Sequence, residues 1–286
     1  MPMRKVFLAI AITIFLFSCK KEKSFNPAGG TTGGGTTATV LTKAVTKFGP
    51  NDSIIVFYGY DNQKRFISYK YDLVSSGNHY GGEYTFVRNA QGVVQKVIIK
   101  SDDLATSGLD SLVSIVHYNT SSSRYTSSVI TLDENGSTVK DSTAFTYNAA
   151  GKMIQSEEFL DDGISGGYGE IAKTEYTYDA EGNIIKSKNY YFDDSTGTYV
   201  ASDQDVYEYD TKVNPLVLGN EAFLLGDPSL VSTHNITKDT YTDLEDATNN
   251  DVTTNVYTYN ASNKPITGTV TVLSEGVPYP ATYTYK

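Results

Sequence analysis

One pattern constrains this chain more than any other: two aromatic residues spaced by two, followed at once by a turn. It occurs at Tyr58/Tyr60, Tyr84/Phe86, Phe145/Tyr147, Tyr176/Tyr178, Tyr207/Tyr209, Tyr257/Tyr259 and Tyr283/Tyr285, with Val116/Tyr118 as a degenerate copy. A spacing of two puts both rings on one face of a strand and the residue between them, usually Thr, on the other. The turns read Asn89-Ala90-Gln91-Gly92, Asp133-Glu134-Asn135-Gly136, Asn148-Ala149-Ala150-Gly151 and Asp179-Ala180-Glu181-Gly182. Asp or Asn in first place accepts a hydrogen bond from the backbone two residues on, and Gly in fourth place permits positive φ. That combination suits a type I turn closing into a G1 bulge, a common hairpin connection.

The second aromatics fall at 60, 86, 118, 147, 178, 209, 259 and 285, at intervals of 26 to 32 residues except for one of 50. About 30 residues hold two strands of ~10 residues, each ~33 Å long, and two turns. The unit is therefore one hairpin, repeated about seven times. From Val40 onward no stretch keeps a helical period over three turns. The expected fold is all-β: an antiparallel hairpin meander, forming an open or curled, barrel-like sheet. The long interval contains Asn214-Pro215-Leu216, Asp227-Pro228 and the apolar Ala222-Phe223-Leu224-Leu225. It reads as an insertion with a short helical turn, a return strand near Leu230 to Thr237, and a polar loop through Asn249-Asn250-Asp251. Pro278 and Pro280 lose two N–H groups on one side of the last strand, which places that strand at a sheet edge.

The first forty residues have a different character. Arg4 and Lys5 precede a twelve-residue apolar run, Val6 to Phe17. As a helix it would rise ~18 Å, too short for a ~30 Å hydrocarbon core, and its flanks fit a secretory signal. The run ends in Leu16-Phe17-Ser18-Cys19, and Cys19 is the chain's one cysteine. This segment resembles the lipobox of bacterial lipoproteins, and specifically the form found in Bacteroidota. The resemblance implies cleavage before Cys19 and acylation of that residue, hence a membrane anchor; several acyl chains hold where one would not. Residues 1–18 are then the signal peptide and 19–39 the anchor and tether, which carries Lys20-Lys21-Glu22-Lys23 and the Gly/Thr-rich stretch up to Thr37. Lys20 is not the Asp that retains many lipoproteins at the inner membrane, so the resemblance points to the outer membrane, periplasmic or cell-surface facing.

Residues 40–286 carry a second resemblance. Tyr176-Thr177-Tyr178-Asp179-Ala180-Glu181-Gly182-Asn183-Ile184-Ile185 looks like the YD repeat of Rhs-type proteins, and Phe145 to Ile154, with Tyr147 and Gly151, is a second copy with Asn148 in place of Asp. Tyr207-Glu208-Tyr209-Asp210, running on to Pro215, resembles a segment of a narrower group: Bacteroidota lipoproteins of unknown function built from YD-like hairpins, some with a porin-like β fold. In such repeats the Tyr and Asp are structural. Tyr147, Gly151, Tyr176, Tyr178, Asp179, Gly182, Tyr207, Tyr209, Asp210, Tyr257 and Tyr259 are therefore expected to build the fold, and no catalytic role is implied.

The remaining chemistry is sparse. A net charge of −10 argues against binding nucleic-acid phosphates, and one Cys with three scattered His leaves no Cys/His zinc site. Gly163-Ile164-Ser165-Gly166-Gly167 has the form of a nucleophile elbow without the flanking strand and helix that form requires. The acidic pairs Asp102-Asp103, Asp161-Asp162 and Asp193-Asp194, and the run from Asp243 to Asp251, read as solvated turns and lack a calcium-loop pattern. No enzyme activity, metal or cofactor is expected. The expected function is a non-enzymatic, lipid-anchored envelope protein with a structural or interaction role, whose partner is an envelope protein or a glycan. One alternative is a glycan-binding surface lipoprotein using exposed tyrosines. Another is a porin-like membrane barrel, which Lys186, Lys188, Glu157 and Glu158 disfavour by putting charge on both faces of the strands.

Overall fold

A computed structural model describes residues 40–134, 137–161, 163 and 167–286. These form sixteen strands: β1 (Leu41–Lys47), β2 (Ser53–Tyr60), β3 (Phe66–Ser75), β4 (Asn78–Arg88), β5 (Val94–Ser101), β6 (Leu112–Asn119), β7 (Arg124–Glu134), β8 (Ser137–Tyr147), β9 (Met153–Asp161), β10 (Gly169–Tyr178), β11 (Ile184–Asp193), β12 (Thr198–Tyr209), β13 (Ile236–Asp243), β14 (Asp251–Tyr259), β15 (Pro265–Val272) and β16 (Val277–Tyr285). A one-turn helix, α1 (Asp102–Thr106), follows β5. Each strand pairs antiparallel with its neighbours in sequence, and β16 pairs with β1.

The meander is thus a closed barrel, which corrects the expectation of an open or curled sheet. Closure comes from Leu41 opposite Tyr285 and Ala44 opposite Tyr283, and from reciprocal bonds between the backbones of Val40 and Lys286 at 2.9 and 3.0 Å. Local pattern does not report it, because β1 lacks the aromatic pair that marks its partner. The proline argument survives in reduced form. β16 has no free edge as a whole, but its pairing to β1 runs only from Ala281 to Tyr285. Pro278 and Pro280 lie beyond that stretch, with β15 as their paired strand.

Seven connections gather at one end of the barrel, and they are the aromatic-marked turns. Asp61, Asn89, Asn148, Asp179 and Asn260 each turn Oδ1 onto the backbone N–H four residues on, at 2.9 to 3.0 Å. Gly92, Gly151 and Gly182 supply the positive φ, at 86°, 82° and 99°. Lys64 and Asn263 take that conformation without being glycine. A register shift sits at the second aromatic of the marked strands: Tyr60, Tyr147, Tyr178 and Tyr259 at the last strand residue, and Tyr118 one residue before it. One expected member does not belong: Asp133 and Glu134 are strand residues of β7, and Asn135 and Gly136 lie outside the described residues.

The β4 copy is corrected by two residues. The position taken by Tyr178 before Asp179 is held before Asn89 by Arg88, so the unit is Phe86/Arg88 and not Tyr84/Phe86. The insertion is also clarified. β12 ends at Tyr209, and two 3₁₀ turns, Gly219–Leu225 and Pro228–Val231, come before β13. The return strand therefore begins at Ile236, later than the sequence suggests, because Leu230 is taken up by the core of the inserted segment.

Candidate functional site

Alternation sets what lines the barrel. The paired aromatics face inward, and all but Tyr257 and Tyr259 are buried or half-buried in one apolar cluster; Tyr257 meets it through Tyr283, with ring centroids 6.2 Å apart. A ring of first-strand residues lies beside them at the turn end: Leu41, Phe66, Val94, Met153, Ile184 and Ile236, none more than 2% exposed. Each stands opposite the last residue of the preceding marked strand, or of β16 in the case of Leu41.

The phenols complete the wall. Tyr178 donates to the Met153 carbonyl at 2.5 Å, Tyr209 to Ile184 at 2.5 Å, Tyr257 to Ile236 at 3.1 Å and Tyr285 to Pro265 at 2.6 Å. Tyr176 meets Ser156 at 3.1 Å and Tyr207 meets Ser187 at 3.2 Å. Cations cover several of these rings, with Arg124 over Tyr147, Lys152 over Tyr178 and Lys264 over Tyr285 at 5.1 to 5.7 Å. Replacing Tyr178 by Phe leaves the Met153 carbonyl without that donor and should cost about 1–2 kcal/mol. A lower urea midpoint at unchanged slope is the check.

Arg88 shows why a guanidinium replaces a phenol in one copy. Its Nε and Nη2 donate to the Phe66 carbonyl at 3.2 and 2.6 Å, which is the wall bond its tyrosine counterparts make. Nη1 and Nη2 also donate to the two carboxylate oxygens of Glu221, each at 2.6 Å. Glu221 lies in the first 3₁₀ turn of the insertion and accepts a third bond, from Tyr125, at 2.9 Å.

Topology gives that contact its meaning. The insertion leaves the wall between β12 and β13, and β4 lies eight strands from β12 around the ring of sixteen. The segment therefore reaches the opposite wall. On the way Phe223 meets Tyr176, with ring centroids 4.9 Å apart, and Leu216, Leu218, Ala222 and Leu230 join the wall cluster. Its two ends are held together by one carboxylate. Asp210 accepts from Lys212 N at 2.9 Å and from Asn235 N at 3.1 Å, and the Asn235 amide bonds it as Asn183 bonds Asp179. Tyr259 donates to the same carboxylate. The insertion is one ordinary turn with a plug spliced between its first and last residues.

Beyond the plug the lumen changes character. The inward faces of β8, β9, β12 and β13 carry Asp141, Glu158, Asp203, Asp205 and Asp239, and no lysine or arginine among the described residues. Asn189 donates to Asp203 at 2.6 Å and accepts from Thr174 at 2.8 Å. Asp141 and Glu158 share a hydrogen bond. Burial raises Glu158 to about 7, helped by the neighbouring Asp141 charge; burial raises Asp141 to about 6, against the bond from Glu158.

The other sequence candidates disperse. Cys19 and Ser165 lie outside the described residues. His234 sits at the plug neck, 3.2 Å from Glu181, and His79 and His117 lie elsewhere on the barrel. Asp193 and Asp243 accept bonds from their own turns, and no group of three or more His, Cys, Asp or Glu is placed to hold a metal ion among the described residues. The plug contact and the inner acids were not anticipated. Glu221 carries no local signal, whereas Arg88 was readable as the residue that breaks the tyrosine register.

No family model matches the chain, and no curated protein does. Two solved structures share its fold. A porin-like protein from Bacteroides vulgatus aligns at a TM-score of 0.52 and 13% identity, covering 87% of this chain and 99% of the other. A porin-like protein from Bacteroides uniformis aligns at 0.51 and 12% identity, covering 86% and 98%. At these identities the likeness establishes the fold alone: a closed, all-β, antiparallel barrel of the kind those proteins have.

Proposed function

We propose that this chain is a non-enzymatic, lipid-anchored protein of the outer membrane whose barrel stands in water, with an interaction role exercised from its acidic end, away from the plug. The observation that carries this is the outer wall. Lys70, Glu83 and Lys100 face one another across β3, β4 and β5. Glu157 faces Lys173, Glu175 faces Lys188 and Glu208 faces Lys238 on the strands that follow. A membrane-spanning barrel needs an outward apolar band ~25 Å tall, and a lysine at its midplane costs about 2–4 kcal/mol. Of the four charges named from the sequence, Lys186, Lys188 and Glu157 face out and Glu158 faces in, so charge does lie on both faces of the strands. The inward tyrosines also leave no exposed stripe of repeat rings for a glycan, so a sugar would have to meet outward rings such as Tyr190 and Tyr199, which flank Lys173 at 4.4 and 5.0 Å.

A second reading, a porin-like barrel in the membrane, is favoured by the complete closure of the sixteen strands and by the two porin-like neighbours. One experiment separates them. The chain from Lys20 onward is exported behind an ordinary cleavable signal peptide, so that it lacks the lipid. Release into detergent-free periplasmic extract is the expected result. Retention in the outer membrane through carbonate washing, with channel conductance in planar bilayers, would establish the porin-like reading instead.

A further inference from the structure

The outer wall is not charged all the way round. Among the described residues, the outward faces of β14, β15 and β16 carry no ionisable side chain. Two cross-strand rows run over them, Thr258–Thr267–Thr282 and Val256–Thr269–Pro280, all exposed, with Val256 at 70%. Lysines border the panel on both sides: Lys238 on β13 faces Thr254, and Lys43 on β1 faces Thr284.

We infer that this panel is the face the barrel lays against the bilayer that holds its lipid anchor. The inference rests on the lipid-anchored reading. Three observations select a lipid surface as the occupant. The panel adjoins β1, the strand through which the chain coming from Cys19 joins the barrel. Only twenty residues separate Cys19 from Val40, so a lipid on Cys19 holds this side of the barrel within reach of the membrane. Lys43 at the β1 border suits anionic headgroups, Lys238 at the other border being paired with Glu208 at 2.7 Å, and a face of Thr, Val and Pro has no charge to desolvate on approach.

The chain contains no tryptophan, so a single introduced one reports on its own surroundings. Val256→Trp places it on the panel. Ile115→Trp places it on the outward face of β6, eight strands away on the opposite wall, where Ile115 is 46% exposed. Each lipidated full-length variant is reconstituted in phosphatidylglycerol-containing vesicles with brominated acyl chains. The expected result is a blue shift and quenching of the Val256→Trp emission, and neither for Ile115→Trp. Protein that floats with the vesicles while both tryptophans stay water-like overturns the inference and leaves the anchor standing. Protein that does not float removes the anchor and the inference with it. Quenching at both positions means that the wall spans the bilayer. A blue shift at Val256→Trp without vesicles means that the panel covers another copy of the chain; both results overturn the proposal.

Discussion

Replacing Arg88 by Ala should destabilise the barrel by about 3 kcal/mol, because it leaves the half-buried Glu221 against the far wall without its guanidinium, with Tyr125 as its remaining donor. For a domain of this size that is a fall in melting temperature of about 10 °C. Two further variants divide the loss. Arg88→Tyr restores the phenol used by the other copies, so the bond to the Phe66 carbonyl can re-form while Glu221 stays unpaired. Arg88→Met with Glu221→Leu removes both charges and should recover most of the stability, since an apolar pair avoids the desolvation cost. If Arg88→Ala melts with the wild type, the plug is not held from the β4 side. Limited proteolysis between Lys212 and Asn235 gives an independent reading, with faster cleavage expected in Arg88→Ala.

The Asp141–Glu158 pair should make the protein less stable as pH rises from about 4 to about 7. Both groups bind a proton more tightly when folded, so the folded state holds more protons in that window and stability falls with increasing pH. Above the window both states are ionised and the full penalty remains. Other carboxylates work the other way at lower pH. Burial would raise Asp179, but bonds from the Asn183 side chain and from the backbone of Asn183, Gly182 and Glu181 outweigh it and hold it below the usual range. Its contribution is present above pH ~4 and is lost as pH falls below that. Stability should therefore peak between about pH 4 and 5. Glu158→Gln should raise the melting temperature at pH 7.5 and flatten the slope between pH 5 and 7. An unchanged slope would mean that the pair is not buried together.

Much of the hairpin chemistry was legible because it is local. Asp179 and Gly182 specify one turn through bonds that span four residues, and that turn recurs with Asn148/Gly151 and Asn89/Gly92. Tyr176 and Tyr178 share a face because a strand has a period of two. Such signals misled where a residue changed type but kept its place. Arg88 makes the wall bond of a tyrosine, so a search for aromatic pairs settles on Tyr84 and Phe86, two residues too early. The plug was legible only as an interruption. Asp210 and Asn235 look unrelated in sequence, and only the folded neck shows them as the two ends of one turn.

The sequence by itself determined the strands, their antiparallel order and which rings share a face, because these follow from contacts between near neighbours. It also set charges on most of the outer strand faces and left the run from β14 to β16 without one. What only the tertiary structure decided were the non-local pairings. β1 meets β16 across the whole length of the described domain, and Glu221 meets Arg88 across the ring. Closure gives the meander an inside. The same alternation then becomes a wall, with its tyrosines around a plug, its inner acids beyond it and its outer lysines facing the other way.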